Sequence, residues 1–294
     1  MTNIETSNFR VRLSGGLGNQ LFQLAAGHFF ASQFGGRYSL NSNNLRLENF
    51  HLNSDLSQIE FINRQSLENL ESNKFVLTNR FLRKMIRSNN QFASRNNVIT
   101  DSNWKEIYEK MQSRDSNSLQ RKSGTWDMYG YFQDQQLIAE DLLNSLRVLV
   151  NTSLDFKRER LVLGAHNFNA LHIRGGDYLT SDIHANLQRD YYINAMNRFN
   201  QPELPLIVFT NDSLHAIQIL GTNVEYTIQD SSGMSAIEVM HLMAMSSNLV
   251  ISNSTFSYWA ARLKGTPGLI FTPRNWYKTN SIHGLQYERH WIAI

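Results

Sequence analysis

From residue 170 onward the chain alternates between short apolar runs and longer amphipathic stretches, and this alternation restricts the fold more than any other feature. The pattern predicts a strand over Ala170–Ile173, a helix near Asp190–Phe199, a strand over Leu206–Thr210 and a helix from Ser213. It continues with a strand near Val224–Ile228, a helix from about Met234 to Ser247, and a strand over Leu249–Ser252. A helix over Thr255–Leu263 and a strand over Leu269–Thr272 complete it. Strands separated by helices pair in parallel, with the helices packed on both faces of the sheet. The first half opens the same way. A strand over Phe9–Leu13 enters the turn Ser14-Gly15-Gly16-Leu17-Gly18, a helix runs over Asn19–Phe34, and a second strand covers Arg37–Leu40. An Asn/Ser-rich region with weak periodicity follows. Trp126–Phe132 then reads as extended, Gln135–Val150 as helical, and 151–169 as a linker.

Composition narrows the class. With 294 residues, 41% of them hydrophobic, the chain can bury a core of two ordinary domains or one large one. The formal charge of +3 is too small to make nucleic acid the default partner. There is no cysteine, which removes disulfides, thiolate zinc sites and thiol nucleophiles and makes a reducing compartment the simpler expectation. The first residues lack the basic and apolar regions of a secretion signal, and no run of 18 apolar residues occurs. A cytoplasmic protein is expected. Residues 80–87, RFLRKMIR, gather Arg80, Arg83, Lys84 and Arg87 on one helical face, read here as a solvated surface helix, with peripheral contact at the inner face of a membrane as the functional alternative.

In a parallel sheet the loops leaving the strand C-termini share one edge, where ligands bind. Four stretches reach such edges: SGGLGNQ, IRGGDYL, FTNDS and SNSTFS. SGGLGNQ has neither the glycine spacing of a dinucleotide fingerprint nor the ending of a P-loop, which argues against a nicotinamide oxidoreductase. Asn211-Asp212 reads as a cap of the following helix rather than a metal site, and no required metal is expected. His172 and Arg174 lie two apart on one strand face. His172 alone reads as a hydrogen-bonded core residue. Arg174 needs a partner, either an internal acid such as Asp177 or a ligand phosphate, and the residues leave that choice open. Ser254 and Thr255 sit where a strand gives way to a helix, a place whose backbone amides can hold a phosphate. Trp126, Tyr129, Tyr131 and Phe132 read as core before they read as a sugar-stacking surface.

The order of SGGLGNQLFQLA, YGYFQD, HIRGGDYL, DYYINAM, VFTND, LVISNSTFSYWAARL and IFTPRNWY along the chain resembles that in the bacterial α-1,2-fucosyltransferases, from about Arg12 to Tyr277. The resemblance implies a GT-B-like fold of two Rossmann-like α/β domains facing a cleft. Boundaries are expected at 1–155 for an acceptor-side domain and 156–294 for a GDP-sugar-binding domain. It implies an inverting, metal-independent transfer of L-fucose from GDP-β-L-fucose to the 2-hydroxyl of a galactose in an oligosaccharide or lipid-linked glycan. GDP-fucose is then a donor substrate, and no cofactor is called for. On the same resemblance Arg174 clamps the diphosphate, His172 lies beside the nucleotide, Ser254 and Thr255 donate at the helix start, and Asn19 reaches in from the N-terminal domain. Asp177 is the leading candidate for a base, with Asp182 and His184 in reserve.

Two positions depart from the family pattern. Gly175 stands where that pattern has a second arginine, HxRRGDY, and Val239-Met240 stands where an acid, often Asp-Met, precedes an apolar helix turn. Glu238 lies one position before the second departure. These losses keep open a glycan-binding protein without transfer activity, and nothing in the residues separates fucose from another deoxy sugar.

Overall fold

The computed structural model describes residues 7–41, 97–113, 124–152, 167–265, 267–279 and 287–294. The basic stretch 80–87 lies outside them. The chain forms two compact units, Met1–Leu142 and Leu143–Ile294.

The first unit holds strands β1 (Ser7–Arg12), β2 (Arg37–Asn41), β3 (Val98–Thr100) and β4 (Gly124–Tyr129) in the order β2-β1-β4-β3, all parallel. Helix α1 (Leu17–Phe34) follows the glycine turn, α2 (Trp104–Gln112) follows β3, and α3 starts at Glu140 and runs to Thr152. β1 alternates strictly. Phe9 and Val11 are fully buried, whereas Arg10 and Arg12 lie half-buried on the other face, beside Asp127 and Tyr129 of β4. α1 is apolar nearly all round and buries 13 of its 18 residues, so it behaves as a core helix rather than an amphipathic one. Sequence periodicity missed β3 and α2, which are short and flank residues of weak pattern. The predicted helix from Gln135 is interrupted: a 3-10 turn over Gln135–Leu137, capped by Asp134, precedes the true start at Glu140.

The second unit holds β5 (Asn169–Ile173), β6 (Leu206–Thr210), β7 (Thr227–Ile228), β8 (Leu249–Val250), β9 (Ile270–Thr272) and β10 (Ile292–Ala293). Their order is β10-β9-β8-β5-β6-β7, again all parallel. The chain lays β6 and β7 to one side of β5 and then returns to place β8 on the other, so the order reverses at β5/β8. Between the strands run α4 (Arg189–Met196), α5 (Ser213–Leu220), α6 (Ala236–Ala244) and α7 (Thr255–Leu263). All five residues of β5 are buried, as expected for a central parallel strand covered on both faces. Leu171, Ile173, Tyr192, Val208, Leu220, Val250 and Phe271 join in one apolar cluster.

Several predicted elements contract. α6 begins at Ala236, not Met234, because Ser235 and Glu238 form a reciprocal capping box. β7 keeps only two of the five residues expected, and β8 ends at Val250. β10 was not expected; it pairs with β9 and contributes only two half-buried residues, too few to show a period. Two buried asparagines tie the strand starts together. Asn248 donates to Asn169 at 2.8 Å and accepts from the Leu269 amide at 3.1 Å. Among the described residues no helix is long and apolar enough to cross a membrane.

Candidate functional site

Both sheets have a reversal of strand order, the position at which open α/β sheets offer a crevice beyond the strand C-termini. In the first unit it lies between β1 and β4, and the loops leaving them are SGGLGNQ and YGYFQD. Amide side chains hold these loops. Gln23 accepts from the Ser14 amide at 2.9 Å and donates to Ser14 Oγ at 2.9 Å and to the Gly130 carbonyl at 2.7 Å. Gln20 donates to the Gly15 carbonyl at 2.8 Å, and Gln133 donates to Asn19 Oδ1 at 2.9 Å. The Asp101 carboxylate accepts from the amides of Tyr131 and Phe132. Of the four aromatics expected to be core, Trp126 and Phe132 are; Tyr129 lies half-buried beneath Arg12, and Tyr131 is exposed.

In the second unit the reversal at β5/β8 brings together five of the six predicted site residues: His172, Arg174, Asp177, Ser254 and Thr255. Asn19 belongs to the first unit. His172 is buried and its Nδ1 lies 2.7 Å from Ser252 Oγ, which follows β8. Burial, reinforced by the charge of Arg174, pushes its imidazole down to about 3, so at neutral pH it is uncharged and Arg174 is the cation at this strand end.

Arg174 leaves β5 half-buried. Its Nη2 donates to Asp177 Oδ1 at 2.8 Å, and its guanidinium carbon lies 4.9 Å from the centre of the Tyr178 ring. The internal acid is therefore satisfied at one nitrogen, while the buried Nε makes no hydrogen bond. Asp177 is 71% exposed, so its pairing with Arg174 is screened by solvent and is worth little as a fold-stabilising bridge. That argues for a positional role.

The two glycines have separate reasons. Gly176 adopts φ +62°, in the left-handed region. Gly175 is closely approached: a Cβ there would stand 2.6 Å from Asp212 Cβ and 2.9 Å from its Oδ2. The backbone amides of Gly175 and Gly176 donate to Asn211 Oδ1 and Asp212 Oδ2, at 3.0 and 3.2 Å. Asp212 also caps α5 by accepting from the His215 amide at 3.0 Å, the role expected from its position. The missing second arginine thus has a local cause. A side chain at 175 would have to push aside the β6 loop that grips this turn.

Ser254 is the N-cap of α7, yet its side chain does not cap that helix. Thr255 opens the first turn, half-buried. A guanidinium beside helix-start amides left free of side-chain capping suits an anion such as a phosphate. Behind them, Asn253 donates to the carbonyls of Ala185 and Trp276 at 2.8 and 2.9 Å, and His184 bridges Tyr277, so the loop after Tyr178 is tied to the segment after β9. The His184 ring stacks on Tyr178 at 4.0 Å, and its Nδ1 lies 2.9 Å from Ser181 Oγ. Burial lowers its pKa, with Asp177 opposing and Arg174 adding to that shift. Asp182 is exposed.

Glu238 places one carboxylate oxygen in the capping box at the start of α6, accepting from the Ser235 amide at 2.7 Å. Tyr178, Asn253 and Tyr277 went unassigned in the sequence because their partners are far away along the chain. The only local signal was that Tyr178 lies four residues from Arg174. No cluster of three or more His, Asp or Glu side chains placed to hold a metal occurs among the described residues.

This geometry can be set beside known proteins. The Escherichia coli O-antigen biosynthesis glycosyltransferase WbnK is 30% identical to the chain, covering 96% of it and 99% of the relative. An Escherichia coli alpha-1,2-colitosyltransferase is 24% identical, covering 96% and 97%. Two solved structures share the fold at low identity. NodZ alpha-1,6-fucosyltransferase, co-crystallized with GDP, aligns with a TM-score of 0.51 at 13% identity over 87% of this chain and 92% of that one. Arabidopsis thaliana FUT1 in complex with GDP aligns with a TM-score of 0.50 at 15% identity over 95% and 73%. The expected GT-B-like α/β fold with parallel sheets is thereby met. The model of glycosyl transferase family 11 matches residues 1–294, end to end, and the chain belongs to that family.

Proposed function

We propose that the protein is an inverting α-1,2-fucosyltransferase that moves L-fucose from GDP-β-L-fucose to the 2-hydroxyl of a galactose, without a metal, during assembly of an O-antigen-type surface glycan. The observation that carries this reading is the convergence of Arg174 with the start of α7 at the β5/β8 reversal. In the reaction the bond between fucose C1 and the phosphate oxygen breaks, the acceptor oxygen bonds to C1 from the opposite face, and GDP leaves with the bonding pair. Negative charge grows on the diphosphate as this happens. Arg174, the amides of Thr255 and the residues after it, and the positive end of the helix dipole meet that charge. His172, held neutral, adds no second cation and packs behind the site.

The acceptor hydroxyl must shed its proton. Asp177 is our candidate for receiving it: Oδ1 is spent on Arg174, and the exposed carboxylate retains acceptor capacity. Asn19 is assigned to the acceptor side, in an N-terminal domain taken as 1–155, with the donor domain as 156–294.

A second donor is favoured by a specific observation, the similarity to an α-1,2-colitosyltransferase. Colitose is L-fucose without its 3-hydroxyl, so both readings share the nucleotide site and differ at one contact. Calorimetric titration with GDP, UDP and ADP in EDTA tests the site they share, and binding of GDP alone is expected. Transfer from GDP-fucose and GDP-colitose to a galactoside, with the linkage read by NMR, then separates the donors. Absence of binding to any of the three nucleotides would overturn both.

A further inference from the structure

Tyr178 stands at the centre of the second site without an assigned part. Its ring lies under the Arg174 guanidinium at 4.9 Å and carries the His184 imidazole at 4.0 Å, the two rings tilted by 22°. His184 in turn faces the Tyr277 ring at 5.8 Å and pairs with it across a β-bridge. One side chain thus touches both the cation delivered by β5 and the loop anchored to the segment after β9.

We propose that Tyr178 is a positioning residue that holds the Arg174 guanidinium in one fixed arrangement toward the donor's diphosphate. This rests on the donor-site reading above and names the device that preorganises that site. The physical argument is the freedom of the groups concerned. An arginine half in water samples many rotamers, and an exposed carboxylate such as Asp177 restrains it only weakly. An aromatic face adds a second, planar restraint. Stacking of His184 on the ring keeps the tyrosine itself from swinging.

The test is a double-substitution cycle read by calorimetry with GDP in EDTA. Tyr178→Leu should weaken GDP binding about ten-fold and Arg174→Ala about a hundred-fold. If Tyr178 acts through Arg174, the doubly substituted protein binds no more than about two-fold worse than Arg174→Ala alone. A merely structural tyrosine gives losses that multiply, to about a thousand-fold, and that result overturns the proposal, as does a Tyr178→Leu protein that binds like wild type. Should Tyr178→Leu fail to fold, Tyr178→Phe carries the test. It keeps the ring face beneath Arg174 and should bind GDP within about two-fold of wild type. A loss of about ten-fold or more in this variant likewise overturns it. Wild-type protein that binds no GDP overturns the donor reading together with this one, whereas normal wild-type binding with independent losses overturns the positioning role alone.

Discussion

The two strand-order reversals share a topology and differ in chemistry. At β1/β4 the glycine turn is held by neutral amides, with Gln23 alone making three bonds and Asn19 engaged by Gln133, while the Asp101 carboxylate grips the YGYFQD loop and Arg12 lies over Tyr129 at the strand ends. At β5/β8 the loops are held by an ion pair, a cation on an aromatic face and a histidine stack, with the helix start left without a side-chain cap. Backbone topology supplies a crevice in both places. What distinguishes β5/β8 is a cation carried by the loop itself, the side chain two residues beyond His172. A glycine turn closed by its own glutamines has its hydrogen bonds spent internally, while the arginine loop keeps capacity for a ligand.

The contrast predicts separable outcomes. The largest effect is expected for Arg174→Ala, which should lower kcat/KM about a thousand-fold with an unchanged circular dichroism spectrum, the scale of losing a charged donor aimed at a developing anion. Normal transfer by this variant would remove the charge-based distinction between the sites. Gln23→Leu should do the reverse, costing about 3 kcal/mol of stability in chemical denaturation, since it orphans the Ser14 amide, the Ser14 hydroxyl and the Gly130 carbonyl, while GDP affinity stays within about two-fold. A large loss of GDP affinity would show that the amide-held turn is also a ligand site.

Acid sharpens the same comparison through His172. Its folded pKa, about 3, lies below the ordinary value of 6.5, so the unfolded chain takes up a proton first as pH falls. The stability it lends is complete above pH 6.5, declines as pH drops through that value, and is lost by about 3. Near pH 5 the loss should be about 2 kcal/mol, and His172→Gln should flatten the slope of stability against pH between 6.5 and 5. The smallest effect is expected at Gly175. Gly175→Ala should cost about 1 kcal/mol, because the new methyl meets Asp212. Gly175→Arg, which restores the family pattern, should not raise donor affinity, and tighter GDP binding by that variant would refute the steric account of the departure.

The legible part of the fold was periodic. Leu206–Thr210 and Thr255–Leu263 fall where the pattern places them, because an apolar strand with a buried centre and a helix opening behind a serine leave strong local marks. The two-residue strands β7 and β8 lie inside longer expected strands, whereas β10 left no mark and is specified by its neighbour β9, Phe271 and Thr272. The same division runs through the site. His172, Arg174 and Asp177 could be singled out because charge at the end of an apolar strand is costly and must have a purpose. Asn253, His184 and Tyr277 could not be grouped, since 93 residues separate His184 from Tyr277 in the sequence, and only their bridge brings them together.

The sequence by itself determined the strand and helix alternation, the parallel sheets that follow from it, and which strand end bears the cation, because periodicity and charge are properties of neighbouring residues. The tertiary structure alone decided that β8 returns beside β5, that Asp212 crowds position 175, and that the Tyr178 ring contacts both Arg174 and His184. Those facts depend on distances between residues remote in sequence, and such distances exist only once the core has closed.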